Sequence, residues 1–142
     1  MYLVSACLAG VNCRYDGRAS VDERVIELVN QGKAIPVCPE QLGGLSTPRI
    51  SCELVNQPGD RKIINKEGID RTEEFQLGAE RTLAIAKALG ISKAIMKSKS
   101  PSCGCGQIYD GTFSGTLIPG NGMAAELLLQ NGIEVITEKD MP

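Results

Sequence analysis

Three of the six cysteines in this 142-residue chain follow short apolar segments that are typical of buried β-strands. Cys7 and Cys38 come directly after two of these segments, and Cys103 lies in the loop after a third. Because the carboxyl ends of parallel strands meet at one edge of a sheet, we expect these three thiols to converge. Convergent thiolates can hold a metal centre, and iron–sulfur clusters are bound by cysteine thiolates.

The other cysteines leave the ligand set open. Cys13 lies in the first loop and competes for the role of a ligand, whereas Cys52 is typical of a small buried hydrophobe. Cys105 lies two residues beyond Cys103 and offers a further thiol. The paired Cys-x-x-Cys units of a zinc ribbon are absent. A site with three cysteine ligands leaves one iron open, and an open iron can act as a Lewis acid toward a substrate.

The composition excludes several classes of function. Histidine is absent, which excludes Cys–His and Ser–His–Asp catalysis and any imidazole ligand. The net charge of −2 and the aromatic content of 4% argue against a nucleic-acid partner. An apolar run of about 18 residues, as a membrane span needs, is also absent, and the first residues do not resemble a secretory leader. We therefore expect a cytoplasmic protein with no membrane partner.

Hydrophobic patterning predicts an α/β fold in one domain over residues 1–142. We expect a Rossmann-like three-layer sandwich with a small, mostly parallel sheet of about four strands plus a small β-hairpin. The predicted strands are residues 2–6, 34–37, 91–96 and 133–136, and the predicted helices are about 21–31, 72–89 and 123–131. The predicted hairpin joins 53–56 to 62–65 through Pro58, Gly59 and Asp60.

Finer details are predicted from single residues. Ser20 is the expected N-cap of the first helix, and Leu89 the last member of the buried stripe of the second. Pro36 indicates that its strand lies at an edge of the sheet. We predict an irregular or weakly extended chain over 111–119. A homodimer is compatible with a small sheet of this kind.

Four short motifs occur in a characteristic order along the chain. They are Cys7-Leu-Ala-Gly10, Cys13-Arg-Tyr-Asp-Gly17, Cys38-Pro-Glu40 with Gly43-Gly44-Leu45 and Pro48-Arg49, and Ser100-Pro-Ser-Cys-Gly104. Together they resemble the thiouracil desulfurase family, and the resemblance extends over essentially the whole chain. Each motif is short, but four in this order are specific.

The resemblance implies a [4Fe–4S] cluster with Cys7, Cys38 and Cys103 as its ligands, while Cys13 stays a rival ligand. Its open fourth iron would bind the sulfur of a small-molecule thiolated base such as thiouracil. The implied reaction is a non-redox hydrolysis in which C=S becomes C=O and sulfide is released.

The resemblance also implies catalytic roles for two residues of these motifs. Glu40 matches the acid–base carboxylate of the family, and Ser100 matches its polar catalytic partner. From the residues themselves, Ser98 and Ser102 can hydrogen-bond the edge of a pyrimidine, and Tyr15 can stack on its ring.

Two other functions are compatible with the cysteines. A non-catalytic iron–sulfur or metal-binding module that senses or carries a cluster needs the same thiols but no substrate pocket. A metal-free thiol enzyme would use Cys13 or Cys103 as nucleophile, and its thiolate would depend on Lys, Arg or a helix N-terminus.

Overall fold

The computed structural model describes residues 1–57 and 60–141. Strands and helices alternate along most of this length. In chain order they are β1 (Tyr2–Ser5), a 3-10 turn (Ala6–Ala9), α1 (Glu23–Asn30), β2 (Ala34–Val37), α2 (Pro39–Leu42), β3 (Cys52–Gln57), β4 (Asp60–Asn65), α3 (Thr72–Ala88), β5 (Lys93–Met96), β6 (Gln107–Tyr109), β7 (Leu117–Pro119), α4 (Met123–Gln130), β8 (Glu134–Thr137) and a second 3-10 turn (Glu138–Asp140).

The central sheet has four strands in the order β2-β1-β5-β8. Each neighbouring pair is parallel. Strand β2 lies at an edge, as Pro36 predicted, so the missing N–H of that proline costs no bond inside the sheet. The predicted four-stranded parallel sheet is therefore confirmed.

Helices cover both faces of this sheet. Leu3 and Ala94 face a hydrophobic cluster to which α3 and α4 contribute, whereas the adjacent Val4 and Ile95 face a cluster to which α1 contributes. Successive strand residues point to opposite faces, so apolar residues in a continuous run fill both clusters. The result is the three-layer sandwich that the sequence predicted.

Helix α1 begins later than predicted. Its N-cap is Asp22, whose carboxylate accepts the N–H of Arg24 at 3.0 Å. Ser20 has other partners, because its N–H donates to the carbonyl of Cys7 and its hydroxyl accepts from Arg14. The prediction of Ser20 as N-cap was therefore wrong.

Helix α3 carries most of its predicted buried stripe. Phe75 and Thr82 are fully buried, but Leu89 is 49% exposed. Leu89 is the C-cap of the helix, and the chain then turns at Gly90, whose φ is +65°. The stripe ends before Leu89 because the helix does.

Two small hairpins flank the sheet instead of the one predicted. Strands β3 and β4 form the predicted antiparallel hairpin, although Pro58 and Gly59 of its expected turn lie outside the described residues and Asp60 begins β4. The second hairpin pairs β6 with β7, so 111–119 is not simply irregular. Strands of three residues are too short to show a period of two in the sequence, which explains the error.

The strand order reverses beside β1. The chain passes from β1 to β2 on one side, and from β5 to β8 on the other. In open α/β sheets the crevice at such a point, outside the carboxyl ends of the strands, binds ligands. Within the described residues, the structure contains no helix with the length and apolar character that crossing a membrane requires.

Candidate active site

A cavity of about 510 Å³ opens at the carboxyl ends of β1, β2 and β5. Five cysteines line it, namely Cys7, Cys13, Cys38, Cys52 and Cys103. Cys7 follows β1, Cys38 follows β2, and Cys103 belongs to the loop after β5. The parallel sheet thus brings residues that are far apart in sequence to one edge.

The thiols in this cavity influence one another. Cys13 forms hydrogen-bonding contacts with the thiols of Cys7 and Cys38. Cys38 also donates to the carbonyl of Cys13, with 3.7 Å between sulfur and oxygen. On the other side, the Ser102 hydroxyl lies 3.7 Å from the sulfur of Cys103.

Burial and neighbouring groups raise the pKa of three of these thiols. The hydrogen bond with Cys38 lowers the pKa of Cys13, but the contact with Cys7 and burial outweigh it and raise that pKa to about 11. The contact with Cys13 and burial raise the pKa of Cys38, and burial raises that of Cys103 to about 12. A cationic centre that binds here must displace protons, because thiolates are the ligands.

The two remaining cysteines have different surroundings. Cys105 donates to the carbonyl of Val135 at 3.6 Å and packs against the cluster formed with α3 and α4, away from the cavity. Cys52 lines the cavity and donates to the carbonyl of Ile50 at 3.6 Å. Partial burial raises the pKa of Cys52 to about 11. The sequence indicated a small buried hydrophobe at this position, and that prediction was wrong, because Cys52 is only half-buried and faces the cavity.

Glu40 extends into the same cavity from the short helix α2. Nε of Arg49 lies 3.0 Å from its Oε1, and the hydroxyl of Ser102 donates to its Oε2 at 2.9 Å. The guanidinium of Arg49 also donates to the carbonyl of Cys13 at 2.9 Å. Both carboxylate oxygens therefore have a donor, and the carboxylate has one defined orientation.

Ser100 reaches Glu40 through Ser102. The two hydroxyl oxygens are 3.0 Å apart, and the oxygen of Ser100 also accepts the backbone N–H groups of Ser102 and Cys103. A hydroxyl has one proton, and the bond to a carboxylate is the stronger use of it, so Ser102 donates to Glu40 and Ser100 donates to Ser102. The resemblance implied Ser100 as the polar catalytic partner of this carboxylate, and the serine in direct contact with it is Ser102.

Close packing of glycines positions the helix that carries Glu40. A Cβ on Gly78 of α3 would lie 1.9 Å from the carbonyl oxygen of Pro39, and one on Gly43 would lie 1.9 Å from that of Glu74. Only hydrogen fits at either position, so α2 and α3 approach with their backbones in contact. The location of Glu40 thus depends on residues outside the cavity.

Ser98 lines the cavity and is hydrogen-bonded to the C-terminal 3-10 turn. Its hydroxyl donates to Oε2 of Glu138 at 2.9 Å, its N–H donates to Oε1 at 2.7 Å, and Nζ of Lys97 lies 3.1 Å from Oε2. Burial raises the pKa of Glu138, but the Ser98 N–H and the charge of Lys97 outweigh it and hold that pKa below its usual value. Nζ of Lys97 also donates to the Ser98 hydroxyl oxygen at 3.2 Å. The hydroxyl can therefore offer a ligand one remaining lone pair rather than its proton.

Tyr15 lines the cavity while 44% of its surface is exposed. The guanidinium of Arg14 lies 5.9 Å from the centre of its ring. One face of this ring thus has a cation beside it.

The lining is more basic than the chain as a whole, which carries a net charge of −2. The charged side chains of the lining are Arg14, Arg49, Lys66, Lys97 and Lys99 against Glu40 and Glu53. This local excess of positive charge favours an anionic ligand, including a metal centre that carries several thiolates.

The donor set fits a cluster better than a single ion. Zinc binds sulfur at about 2.3 Å, so ligands of one ion must converge tightly. In the described part of the chain, no three cysteine or carboxylate side chains converge closely enough to hold one metal ion. Five cysteines instead line a wider cavity of about 510 Å³ beside basic side chains, which suits the larger, thiolate-bound body of an iron–sulfur cluster.

The structure adds lining residues that sequence reasoning missed. They are Glu53, Lys66, Tyr109 and Phe113. One signal was available for Phe113, because it is the one large apolar residue in a run of Gly, Ser, Thr and Asp over 110–116. No sequence signal marked Glu53, whose role depends on the packing of one hairpin on the other.

Comparisons with known proteins agree with this arrangement. A family model described as 2-thiouracil desulfurase matches residues 2–140. YbbK, an uncharacterized protein of Bacillus subtilis (strain 168), is 46% identical over 147 residues, which cover 99% of this chain and 97% of that protein. Among solved structures, the [4Fe-4S]-dependent thiouracil desulfidase TudS is similar with a TM-score of 0.91 and 42% identity, over 99% of this chain and 92% of that one.

Proposed function

Because the chain belongs to the 2-thiouracil desulfurase family, we propose that it is a [4Fe–4S]-dependent desulfidase of a thiouracil-like base. Water supplies the oxygen that replaces sulfur, and sulfur leaves as hydrogen sulfide, so the net reaction converts C=S and H₂O into C=O and H₂S. No electron enters or leaves the substrate. The observation that carries the proposal is that the three strand-end cysteines and the oriented carboxylate of Glu40 line one cavity.

Cys7, Cys38 and Cys103 are the ligands in this proposal. Each follows a different strand of the sheet, so the three thiols come from separate, rigidly paired elements. Cys13 belongs to the first loop, and its contacts with Cys7 and Cys38 make it a supporting thiol beside the ligands. A cluster held by these three thiolates would supply a thiophilic iron with an open position, which would act as a Lewis acid toward sulfur and would make sulfide a better leaving group.

Glu40 is the general base. Its carboxylate takes one proton from water while the water oxygen bonds to the thiocarbonyl carbon. As the C–S bond breaks, that proton and the proton of the new hydroxyl pass to the departing sulfur, so that C=O and H₂S are formed. Arg49 and Ser102 orient its two oxygens. Ser100 supports this orientation because it donates to the hydroxyl of Ser102.

The edge of the substrate ring has polar partners around the cavity. Ser98 accepts a hydrogen bond from a ring N–H through its hydroxyl oxygen, since its own proton is donated to Glu138. Ser102 lies between Glu40 and Cys103, where a ring bound by its sulfur would come close. Tyr15 lies at the exposed side of the cavity, where its ring can contact the substrate.

Reconstitution tests the proposal directly. The protein is purified without oxygen, loaded with iron and sulfide, and incubated with 2-thiouracil. We expect about four irons per chain, with uracil and sulfide formed in equal amounts. A protein that binds no iron would overturn the proposal, and iron without turnover would favour the sensor or carrier function instead.

A substitution separates catalysis from cluster binding. Glu40→Gln keeps the shape of the side chain but removes the base, so turnover should fall about 10²- to 10⁴-fold while the iron content is unchanged. Glu80→Gln on the exposed side of α3 is the matched control and should retain full turnover. Equal turnover in Glu40→Gln and the wild-type protein would exclude Glu40 as the base.

A single domain, a cytoplasmic location, a homodimer and the absence of a nucleic-acid partner remain predictions of the sequence. Size measurement on the loaded protein tests the homodimer.

A further inference from the structure

The loop between β6 and β7 places a single aromatic side chain at the cavity. Residues 110–116 are polar or glycine except Phe113, which lines the cavity and is half-buried. Hydrogen bonds between side-chain hydroxyls connect the polar residues of this loop. The hydroxyl oxygens of Thr112 and Ser114 are 2.6 Å apart, and those of Ser114 and Thr116 are 2.8 Å apart. A loop of otherwise polar residues thus presents one large apolar group to the ligand space.

Phe113 has an unusual backbone. Its φ is +57°, and Lys99 at +68° is the other non-glycine residue with positive φ in 1–57 and 60–141. Both line the same cavity. Bulky side chains rarely adopt this region, and such residues cluster where a function needs the strained conformation.

Glu53 holds the loop in this conformation. Its Oε1 accepts the N–H of Gly111 at 3.0 Å and that of Phe113 at 3.1 Å, and its side chain is buried in the wall formed by β3. Gly111 also lies close to that strand, since a Cβ on it would approach the carbonyl oxygen of Leu54 to 3.1 Å. One carboxylate oxygen therefore anchors the backbone on both sides of Thr112.

We propose that Phe113 is the stacking surface for the ring of the substrate and that Glu53 is the positioning residue that holds it there. The inference rests on the proposed function, because it assigns the planar ring of a thiolated base to this side of the cavity. Base–aromatic stacking depends on the π-face of the ring and not on its substituents. Phe113 therefore selects for aromatic, planar rings over saturated ones.

Phe113 suits this role better than Tyr15. The Arg14 guanidinium lies over the ring of Tyr15, which is also 44% exposed. The side chain of Phe113 carries no polar atom, so water interacts weakly with its ring and a ligand can displace that water easily.

The test uses two ligands that the enzyme does not consume. Uracil has a planar aromatic ring, and 5,6-dihydrouracil has the same hydrogen-bonding edge on a puckered ring. In the loaded protein, Phe113→Leu should weaken uracil binding about 5- to 100-fold, while dihydrouracil affinity changes less than about twofold because no stacking is lost. Calorimetry measures both affinities.

Aromatic replacements provide the rescue. Phe113→Trp and Phe113→Tyr should keep uracil affinity within about threefold of the wild-type value. The chain has no other tryptophan, so uracil should also change the fluorescence of the Phe113→Trp protein. Tyr15→Leu tests the rival surface, and selective loss of uracil affinity in that variant, but not in Phe113→Leu, would overturn the assignment.

The role of Glu53 is tested with the same two ligands, through the ratio of the uracil affinity to the dihydrouracil affinity. Glu53→Gln keeps an oxygen acceptor for both N–H groups and should retain the preference for uracil. Glu53→Met removes the acceptor and should lose that preference as Phe113→Leu does, with KM raised more than kcat is lowered. A purely structural role would instead weaken both ligands equally, and that result would overturn the positioning role.

Turnover by the wild-type protein separates the two proposals. If thiouracil is converted but Phe113→Leu affects both rings alike or neither, the stacking surface is wrong and the proposed function stands. If the loaded wild-type protein neither converts thiouracil nor binds uracil, the proposed function is wrong and the stacking surface is rejected with it.

Discussion

Arg49 and Glu40 form an ion pair in which Nε lies 3.0 Å from Oε1, and their side chains are only 8% and 14% exposed. The same guanidinium donates to the carbonyl of Cys13 at 2.9 Å and to the hydroxyl of Thr47 at 3.0 Å. One cation therefore joins the carboxylate of α2 to the first cysteine loop. A shift of Arg49 would therefore move both the proposed base, Glu40, and the loop that carries Cys13.

Removal of this cation should damage both stability and turnover. Arg49→Met leaves a nearly buried carboxylate without its partner, and we expect a loss of about 3 kcal/mol in the free energy of unfolding. Arg49→Lys keeps the charge but not the fork of donors, so it should recover only part of the loss. Urea unfolding and turnover of the loaded protein measure the two effects.

The exposed pair of Arg71 and Glu74 is the control. Arg71→Met removes an ion pair of 3.5 Å at the surface and should cost less than about 1 kcal/mol. An Arg49→Met protein as stable and as active as the Arg71→Met protein would contradict the coupling.

Serine substitutions should divide the cysteines into two groups. We expect Cys7→Ser, Cys38→Ser and Cys103→Ser each to lose most of the bound iron, because a neutral hydroxyl is a poor ligand for the cluster. Cys13→Ser should retain iron, with Cys105→Ser as a control outside the cavity. Iron and sulfide counts after anaerobic reconstitution check this division, and loss of iron in Cys13→Ser would instead make Cys13 a ligand.

A methyl group added outside the cavity should disturb catalysis. Gly78→Ala places a Cβ 1.9 Å from the carbonyl oxygen of Pro39, so α2 must move away from α3 and carry Glu40 with it. Overpacking of this kind costs about 1–3 kcal/mol, and turnover should fall because the carboxylate is displaced. Thermal unfolding and steady-state kinetics measure both effects.

Gly32→Ala is the matched control for this substitution. No atom lies within 4 Å of the added Cβ, and the cost is confined to a backbone with φ of +71°. About 1 kcal/mol of stability should be lost with turnover unchanged. If Gly78→Ala behaves in the same way, the position of Glu40 does not depend on the contact of the two helices.

Glu138 should make the stability of the cavity wall depend on pH. Burial raises its pKa, but the N–H of Ser98 and the charge of Lys97 outweigh burial and lower it below the usual 4.5. The carboxylate therefore contributes stability above the pKa of the unfolded chain, and this contribution is lost as the pH falls through the lower folded pKa. Glu138→Gln should be about 1–2 kcal/mol less stable at pH 7, and the difference should shrink in acid.

Unfolding curves at pH 7 and in the acid range check this dependence. Glu134→Gln removes an exposed pair with Lys93, in which the side chains are 62% and 58% exposed, and should change stability by less than about 1 kcal/mol. A constant difference between Glu138→Gln and the wild-type protein across the pH range would refute the proposed linkage.

Local sequence patterns were sufficient to predict the parallel sheet and to predict that cysteines from different strands meet at one edge of it. The apolar segments before Cys7, Cys38 and Cys103 indicated parallel strands, and the carboxyl ends of such strands share one edge whatever the loops do. Pro36 indicated an edge strand for an equally local reason, the missing N–H. These predictions succeeded because each depends on one segment and a general rule of sheet geometry.

The sequence by itself therefore determined the layers of the fold, the exclusion of histidine chemistry and the presence of Cys7, Cys38 and Cys103 at one edge of the sheet. Only the tertiary structure decided that Arg49 pairs with Glu40, that Ser102 rather than Ser100 touches that carboxylate, and that Phe113 joins the cavity. The hydrogen bonds from Ser102 to Glu40 and from Phe113 to Glu53 join residues 62 and 60 positions apart in the chain. Such partners are set by how loops and hairpins pack on one another, and no period or local motif encodes that packing.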